Sequence, residues 1–186
     1  ALYYMKRILS ENKTGEIILK EFTIHDPIRK ILYAIMDESL DIVFLSVYIW
    51  NSEIIKKIVP EIKKIVPDTK IILGGPEVGY NISAWNKIPS IDAIVKGNAD
   101  PVILSIIENL WKNQIKAFPQ IITAPTEAFS TVPFPYTIED KKNLQKRTVY
   151  YEASRGCAYT CSYCISAAED QNLTYKPIEK VKQELQ

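Results

Sequence analysis

The feature that most constrains the fold is a nearly continuous apolar run from Asp41 to Tyr48, which is rich in branched and aromatic residues. A strand with one wet face alternates polar and apolar residues, whereas an unbroken apolar run is typical of a strand covered on both faces. Parallel sheets are covered in this way by the helices that connect their strands. The run therefore predicts a buried strand in a parallel α/β sheet.

Helical and strand patterns alternate around this run. Apolar residues at helical spacing predict helices at 2–12, 26–39, 52–66 and 100–111. We expect Pro60 to kink or split the third of these helices. Shorter apolar runs predict strands at 16–23, 70–73 and 91–95. Alternation of this kind indicates right-handed crossovers and a parallel sheet with helices on both faces.

The pattern changes after about residue 115. Four prolines punctuate residues 116–147, apart from a possible short helix at 139–145, so this stretch is interpreted as a linker. A fresh strand is predicted at 148–153 and opens a second region, 148–186. Because the chain starts and ends on helical patterns, we expect a fragment. The first strand of the 1–115 domain is expected to precede Ala1.

Charge and hydropathy narrow the class of partner. The chain has 23 basic and 22 acidic residues and a net charge of +1, which argues against nucleic acid or an anionic membrane as a partner. Its longest apolar stretch, Ile42 to Trp50, is far shorter than the ~20 residues that cross a bilayer. No signal peptide opens the chain, so we expect a cytoplasmic protein.

The three cysteines lie close together, as Cys157, Cys161 and Cys164. An odd, tightly clustered set is a poor disulfide framework, and in a reducing compartment it indicates a metal. Three thiolates on one loop can hold three irons of a cubane cluster and leave the fourth iron open. That iron could bind S-adenosylmethionine and pass one electron to its sulfonium. Gly156 would let the backbone turn tightly before the first ligand.

Two other interpretations of the cysteines stay open. A structural zinc site normally has four ligands, and the sequence offers no obvious fourth, since its single histidine, His25, is over a hundred residues away. The cysteines could also bind no metal.

The spacing Cys157-x3-Cys161-x-Tyr163-Cys164 resembles the defining motif of radical S-adenosylmethionine enzymes. The resemblance implies a 4Fe-4S cluster on the loop after the first strand of a (β/α) barrel, bound S-adenosylmethionine, an electron donor for the cluster, and Tyr163 near the adenine. Residues 150–156 resemble the lead-in of a branch that carries an N-terminal cobalamin-binding domain.

The upstream region resembles such a cobalamin-binding domain, which implies a flavodoxin-like (Rossmann-type) sheet. Ligands of these sheets lie beyond the carboxyl ends of the strands. Three predicted strands end in turns that resemble cobalamin contacts: Ser46-Val47-Tyr48, Gly74-Gly75-Pro76-Glu77 and Gly97-Asn98. Asn98 stands where the branch usually has glutamate. We expect all three turns at one edge of the sheet.

Other candidates are weaker. The histidine motif Asp-x-His-x-x-Gly, which supplies a cobalt ligand in many cobalamin domains, is absent. His25 is interpreted as a loop or capping residue. Trp50, Trp85 and Trp111 are interpreted as core and interface residues.

Taken together, the resemblances imply a two-domain enzyme that transfers a methyl group to an unreactive carbon of an unknown small-molecule or peptide substrate. We expect these 186 residues alone to be inactive, because the later barrel strands are not among them. The alternatives are a cobalamin-binding module without catalysis and a small zinc-binding interaction protein.

Overall fold

The computed structural model describes residues 1–112, 120–125, 129–159, 161–165 and 173–186. The chain divides into two compact units. The first contains Ala1 and Leu19–Pro125, and the second contains Leu2–Ile18 and Thr126–Gln186. The N-terminal helix therefore groups with the C-terminal unit, a division that the sequence pattern did not suggest.

The helices of the described residues are α1 (Leu2–Glu11), α2 (Ile28–Met36), α3 (Ser52–Ile65), α4 (Pro76–Tyr80), α5 (Ile82–Trp85), α6 (Ile103–Trp111), α7 (Lys141–Leu144) and α8 (Ile178–Leu185). A 3₁₀ turn covers Phe129–Thr131. The strands are β1 (Ile42–Ser46), β2 (Lys70–Gly74), β3 (Ala93–Lys96), β4 (Gln120–Thr123), β5 (Ser154–Arg155) and β6 (Thr174–Tyr175).

The first unit is built on a parallel sheet with strand order β1-β2-β3-β4. In register, Val43 lies opposite Ile71, Ile72 opposite Ala93, and Ala93 opposite Gln120. Each described strand pairs in parallel with the next strand along the chain, as the alternating pattern predicts. The predicted parallel α/β sheet is thus confirmed.

Helices cover both faces of this sheet. Successive side chains of a strand point to opposite faces, so neighbouring residues of β2 pack against different helices. Ile71 and Leu73 belong to a cluster that holds the apolar sides of α2 and α3 together with Trp85. Ile72, between them, belongs to a second cluster with Ile106 and the rest of the α6 face. The buried stripes of the helices are the ones that the 3.6-residue period predicts.

A buried carboxylate fixes the start of β2 and β3. Asp92 Oδ2 accepts a hydrogen bond from the Ile71 N–H at 2.7 Å and pairs with Lys63 Nζ at 2.8 Å. Lys63 also donates to the Thr69 carbonyl at 2.7 Å, so the end of α3 is bound to the same corner. A buried charge needs this kind of compensation.

Two sequence predictions are corrected, one at residues 16–23 and one at Pro60. Residues 16–23 form no strand, since none of the described residues forms strand pairing with them. The apolar run does pack on both faces of the sheet, although β1 lies at an edge of the described sheet: Val43 and Leu45 pack in one core cluster, and Ile42 and Phe44 pack against the other. Helix α3 passes through Pro60 without being split, because its buried face holds both halves against the sheet.

The sheet also extends further than predicted. Strand β4 lies inside the stretch interpreted as a linker from residue 116 onward, and it pairs with β3 from Gln120 to Thr123. Four residues between two prolines give too weak a pattern to distinguish a strand from a loop.

The second unit contains the short antiparallel pair of β5 and β6. Residues 148–153, predicted as a strand, are irregular, and pairing begins only at Ser154. A (β/α) barrel uses parallel pairing, and within the described residues of this unit no parallel pair occurs. The barrel remains a prediction. No helix in the described ranges has both the length and the apolar character that a membrane crossing needs.

Candidate functional site

The three candidate turns meet at the carboxyl edge of the sheet. In register, Ser46 lies opposite Gly74, and Gly74 lies opposite Val95. The turns that follow these strands therefore leave the sheet on the same side, as expected for parallel strands. This arrangement brings the predicted positions together at one edge, which we call the carboxyl edge.

The two glycines of the second turn have different roles. Gly75 has φ +108°, and a Cβ there would lie 2.5 Å from the Val47 carbonyl oxygen. The Val47 N–H donates to the Gly74 carbonyl at 2.8 Å, so the two turns are bound backbone to backbone. Glycine at 75 is thus required by the fold, since no side chain fits between these backbones.

Gly74 is not required by the fold. Its φ lies outside the left-handed region, and a Cβ there would meet nothing nearer than 3.9 Å, from Val95. A methyl group would therefore fit there in ordinary contact with Val95, so the fold itself does not demand glycine at the middle of the carboxyl edge. A bulky ligand can approach the backbone at such a point.

The remaining residues of the second turn support it. Pro76 is the first residue of α4, and the Glu77 N–H donates to the Val47 carbonyl at 3.4 Å. Val47, one of the predicted site residues, is fully buried. Its side chain therefore packs in the core and does not face a ligand at the surface.

The first turn is braced by one amide side chain. Asn51 Oδ1 accepts from the Tyr48 N–H at 2.8 Å, and Asn51 Nδ2 donates to the Ser46 carbonyl at 3.0 Å. The rings of Tyr48 and Trp50 stack with centroids 4.6 Å apart and planes 8° apart. Trp50 is 63% exposed. The core interpretation of Trp50 is therefore wrong, because its only described ring partner is its neighbour in the same turn.

The other tryptophans differ from each other. Trp85 is fully buried under α3, in agreement with the core interpretation. Trp111, at the end of α6, is 58% exposed and is not a core residue.

The third turn is the most open. Gly97 has φ +87° and lies beside Ala124, whose N–H donates to the Lys96 carbonyl at 2.9 Å. Gly97 and Asn98 are both exposed. The left-handed backbone at 97 favours glycine, whereas Asn98 is free to vary as far as packing is concerned.

His25 lies exposed in the turn before α2. The adjacent Asp26 accepts hydrogen bonds from the Thr23 N–H and hydroxyl and pairs with Lys30. The hydrogen bond from Lys30 is the main reason why the pKa of Asp26 is lowered to about 2. Asp26 thus binds its own turn, and this agrees with a structural interpretation of the segment.

The cysteine loop begins with a tight turn at Gly156, whose φ is +85°. Cys157 and Cys164 are half-buried and Cys161 is exposed. The Tyr159 N–H lies 3.5 Å from Cys157 Sγ, to which it donates, and the Cys164 N–H donates to the Cys161 carbonyl at 3.1 Å. Tyr163 is 89% exposed. Residues 160 and 166–172 are outside the described part of the loop.

The cysteines fit an iron–sulfur group by their chemistry, because thiolates are its usual ligands and N–H donors to sulfur tune it. Their side chains are not gathered into a ready-made site. Among the described residues, no group of three or more His, Cys, Asp and Glu side chains is placed to hold a metal ion.

The base of the cysteine loop is held by a group of buried and half-buried side chains that no sequence motif predicts. The guanidinium of Arg155, just before the loop, lies 4.4 Å from the Phe129 ring centroid. Lys176 Nζ, just after the loop, lies 5.1 Å from the same centroid. The backbone N–H of Lys176 donates to the Ala153 carbonyl at 2.9 Å. The two ends of the loop are thus fixed together on one aromatic ring.

Lys176 is compensated by an acid from α8. Its side chain is 0% exposed, and Nζ lies 2.7 Å from Glu184 Oε2. The Tyr151 hydroxyl donates to the same oxygen at 2.7 Å. We call these three residues, with Arg155 and Phe129, the loop-base cluster.

Two acidities in the cluster are shifted. Burial, followed by the hydrogen bond to Glu184, raises the pKa of Tyr151 to about 12. Burial by itself would raise the pKa of Glu184, but the hydrogen bonds from Lys176 and Tyr151 lower it overall. No local motif predicts this cluster, because its members come from segments far apart in the sequence.

Comparison with known proteins identifies one family. The family model described as "B12 binding domain" matches residues 1–120. A search of curated proteins finds no match. Among solved structures, this chain is similar to the N-terminal domain of a hypothetical protein from Thermotoga maritima. The match covers 67% of this chain and 89% of that chain, with a TM-score of 0.46 and 14% sequence identity.

Proposed function

This chain belongs to the B12-binding domain family, and from that premise we propose that it binds cobalamin at the carboxyl edge formed by Ser46, Tyr48, Gly74, Gly97 and Asn98. The observation that carries the proposal is a glycine at position 74 where the fold would accept a side chain, in register with Ser46 on one side and Val95 on the other. The fold needs glycine at 75 but not at 74. A ligand that passes close to the backbone gives a reason for the second glycine.

We further propose that the protein of which this chain is part is a radical S-adenosylmethionine enzyme, with Cys157, Cys161 and Cys164 as ligands of a 4Fe-4S cluster. The support is the spacing of the three thiols and the tight turn at Gly156. When bound, such a cluster supplies one electron for cleavage of S-adenosylmethionine, and cobalamin carries a methyl group. Methyl transfer to an unreactive carbon is the reaction we propose.

In this chemistry the chain's own residues would hold the cysteine loop in place and stabilise its thiolates. The Tyr159 N–H donates to the Cys157 sulfur and would stabilise its thiolate. The loop-base cluster fixes the entry and exit of the loop, so that the three thiols are carried by one anchored segment. Tyr163 is exposed on that segment and would be available to an adenine ring.

Cobalamin binding is tested by equilibrium dialysis of the chain against hydroxocobalamin. Gly74→Leu places a branched side chain at the point where the ligand is proposed to approach the backbone, and should weaken binding by about 5- to 150-fold, the equivalent of ~1–3 kcal/mol of overpacking. Asp68→Leu introduces the same side chain in the exposed turn before β2, at the opposite edge of the sheet, and should bind like the wild type. Equal affinities for all three proteins, with unchanged circular dichroism, would contradict a site at Gly74.

The cluster is tested by anaerobic reconstitution with iron and sulfide, followed by electron paramagnetic resonance with and without S-adenosylmethionine. A reduced cubane signal that changes on addition of S-adenosylmethionine supports the enzyme. One tetrahedral zinc per chain would favour the small zinc-binding protein. Cobalamin binding that persists in Cys157→Ala, with no iron uptake by the wild type or by a C-terminally longer chain, would favour the binding module.

A further inference from the structure

Arg155 is the member of the loop-base cluster that lies nearest in sequence to the first cysteine. Its side chain is only 11% exposed, although it carries a charge. The guanidinium lies 4.4 Å from the Phe129 ring centroid and 5.2 Å from the Tyr4 ring centroid. A planar guanidinium stacks on aromatic faces, which the compact ammonium of lysine cannot do. The two rings therefore restrict where the guanidinium can lie.

A carboxylate and the backbone restrict Arg155 further. Its Nε and Nη2 both donate to Glu152 Oε2, at 3.1 Å and 3.0 Å. Its main chain pairs with Thr174, where β5 meets β6. Desolvating a charge is unfavourable, and an apolar side chain could fill the space between two rings without that cost. What arginine adds at this position is a fixed geometry of side chain and backbone together.

This geometry is passed on directly to Cys157. Only Gly156 separates the two residues, and its φ of +85° makes the turn between them tight. Consecutive Cα atoms lie ~3.8 Å apart, so the Cα atoms of Arg155 and Cys157 are at most about 7.6 Å apart. The Tyr159 N–H donates to Cys157 Sγ at 3.5 Å and orients the sulfur as well. Cys161, by contrast, is exposed and lies four residues further along the chain.

We propose that Arg155 is a positioning residue for Cys157, which holds the first thiol in place before a metal arrives, and that the other two cysteines join it on binding. This inference rests on the proposed cysteine site, to which it adds an order of assembly and a residue outside the ligand set. Among the described residues the thiols do not form a ready-made metal site. A ligand that is already in place lowers the entropic cost of gathering the others.

The test uses Co²⁺ as a probe of the reduced chain under anaerobic conditions, because cobalt–thiolate bonds give a charge-transfer absorption. Dissociation constants are measured for the wild type, Arg155→Met, Arg155→Lys and Lys182→Met. We expect both Arg155 variants to weaken Co²⁺ binding by about 10- to 100-fold, the usual effect of residues that orient a metal ligand. Lysine keeps the charge but lacks the planar fork that stacks and grips Glu152. Lys182 is 59% exposed and pairs with Glu179 on α8, so Lys182→Met is the charge control and should bind like the wild type.

A double-mutant cycle assigns the effect to one thiol. In a Cys157→Ala chain, Arg155→Lys should cause no further loss of Co²⁺ affinity, because the sulfur that it positions is gone. In a Cys161→Ala chain, the loss caused by Arg155→Lys should persist. A residue that only stabilised the fold would give the same loss in both chains. Circular dichroism confirms that each chain is folded, and if Arg155→Met does not fold, Arg155→Lys decides.

The other outcomes overturn the inference. Wild-type affinity in Arg155→Lys would show that charge alone suffices, and a loss of equal size in Lys182→Met would assign the effect to net charge. An Arg155→Lys loss that persists in the Cys157→Ala chain would show that the arginine does not act through this thiol. The proposed cluster fails separately if the wild type binds Co²⁺ through its thiols but takes up no iron. A wild type whose thiols bind neither metal would overturn both.

Discussion

The carboxyl edge of the sheet and the base of the cysteine loop are built in opposite ways. The edge is defined by backbone geometry: parallel register, the turn at Gly75 and the hydrogen bond from the Val47 N–H to the Gly74 carbonyl. The loop base is defined by side chains from four segments, with the buried Lys176 and Glu184 at its centre. Backbone sites follow from topology, whereas side-chain clusters depend on the particular residues that meet.

The largest expected effect breaks the side-chain region. Lys176→Met removes the nearer cation of the largely buried Glu184 and leaves only Lys180 at 4.0 Å, and removing one partner of a buried pair costs ~3–5 kcal/mol. Urea unfolding followed by tyrosine fluorescence would measure the loss. The double variant Lys176→Met/Glu184→Leu removes both charges and should recover part of the stability. A single variant as stable as the wild type would show that the pair is not a structural element.

The second prediction separates the two glycines of the backbone region. Gly75→Ala should destabilise the chain by ~2–4 kcal/mol, because it combines a positive φ with a Cβ 2.5 Å from a backbone oxygen. Gly74→Ala should be neutral or stabilising by up to ~1 kcal/mol, since the site has room and alanine restricts the unfolded chain. Thermal unfolding of the two variants gives the comparison. Similar losses for both would mean that Gly74 is also needed by the fold.

The regions also differ in how far the sequence predicts them. The sequence pattern predicts strands β2 and β3 to within two residues at either end, because each is a compact apolar run bounded by turn residues. The meeting of Ser46 and Gly74 followed from parallel topology alone. β4 was missed because its four residues carry little pattern, and residues 16–23 were overpredicted because a strand pattern forms a strand only where a partner is available.

The loop base could not be predicted in the same way. Tyr151 and Glu184 are 33 residues apart, and neither position belongs to a recognisable motif. The cysteine spacing predicts the loop but not the residues that close it. For Trp50 a signal existed, since it follows a strand end in the same turn as Ser46, but exposure is a tertiary property that the sequence does not report.

The third prediction concerns pH and again sharpens the contrast, because it acts on the ionisable side chains that hold the loop base together. Tyr151 has a folded-state pKa raised to about 12, so its contribution to stability is present below its ordinary value of 10.0 and is lost as pH rises toward 12. Glu184 has a lowered pKa, so its contribution is present above its ordinary value of 4.5 and is lost as pH falls through the folded-state value.

Chemical unfolding between pH 3 and pH 12 would measure both limbs. Tyr151→Phe should remove the alkaline limb, while Glu184→Gln should remove its share of the acid limb together with part of the overall stability. An alkaline limb that is unchanged in Tyr151→Phe would assign it to other tyrosines or to the lysines.

The smallest expected loss of stability is at the first turn of the carboxyl edge, where one side chain, Asn51, hydrogen-bonds the backbone. Asn51→Ala removes the bonds to the Tyr48 N–H and the Ser46 carbonyl, and two half-buried backbone groups left to water should cost ~1–2 kcal/mol. The more telling measurement is amide hydrogen exchange. Exchange at Tyr48 should accelerate in the variant while exchange at Ile72, in the middle of β2, stays slow, because only the turn loses its support. If both amides accelerate equally, Asn51 stabilises the whole sheet, and the turn is not an independently braced element of the carboxyl edge.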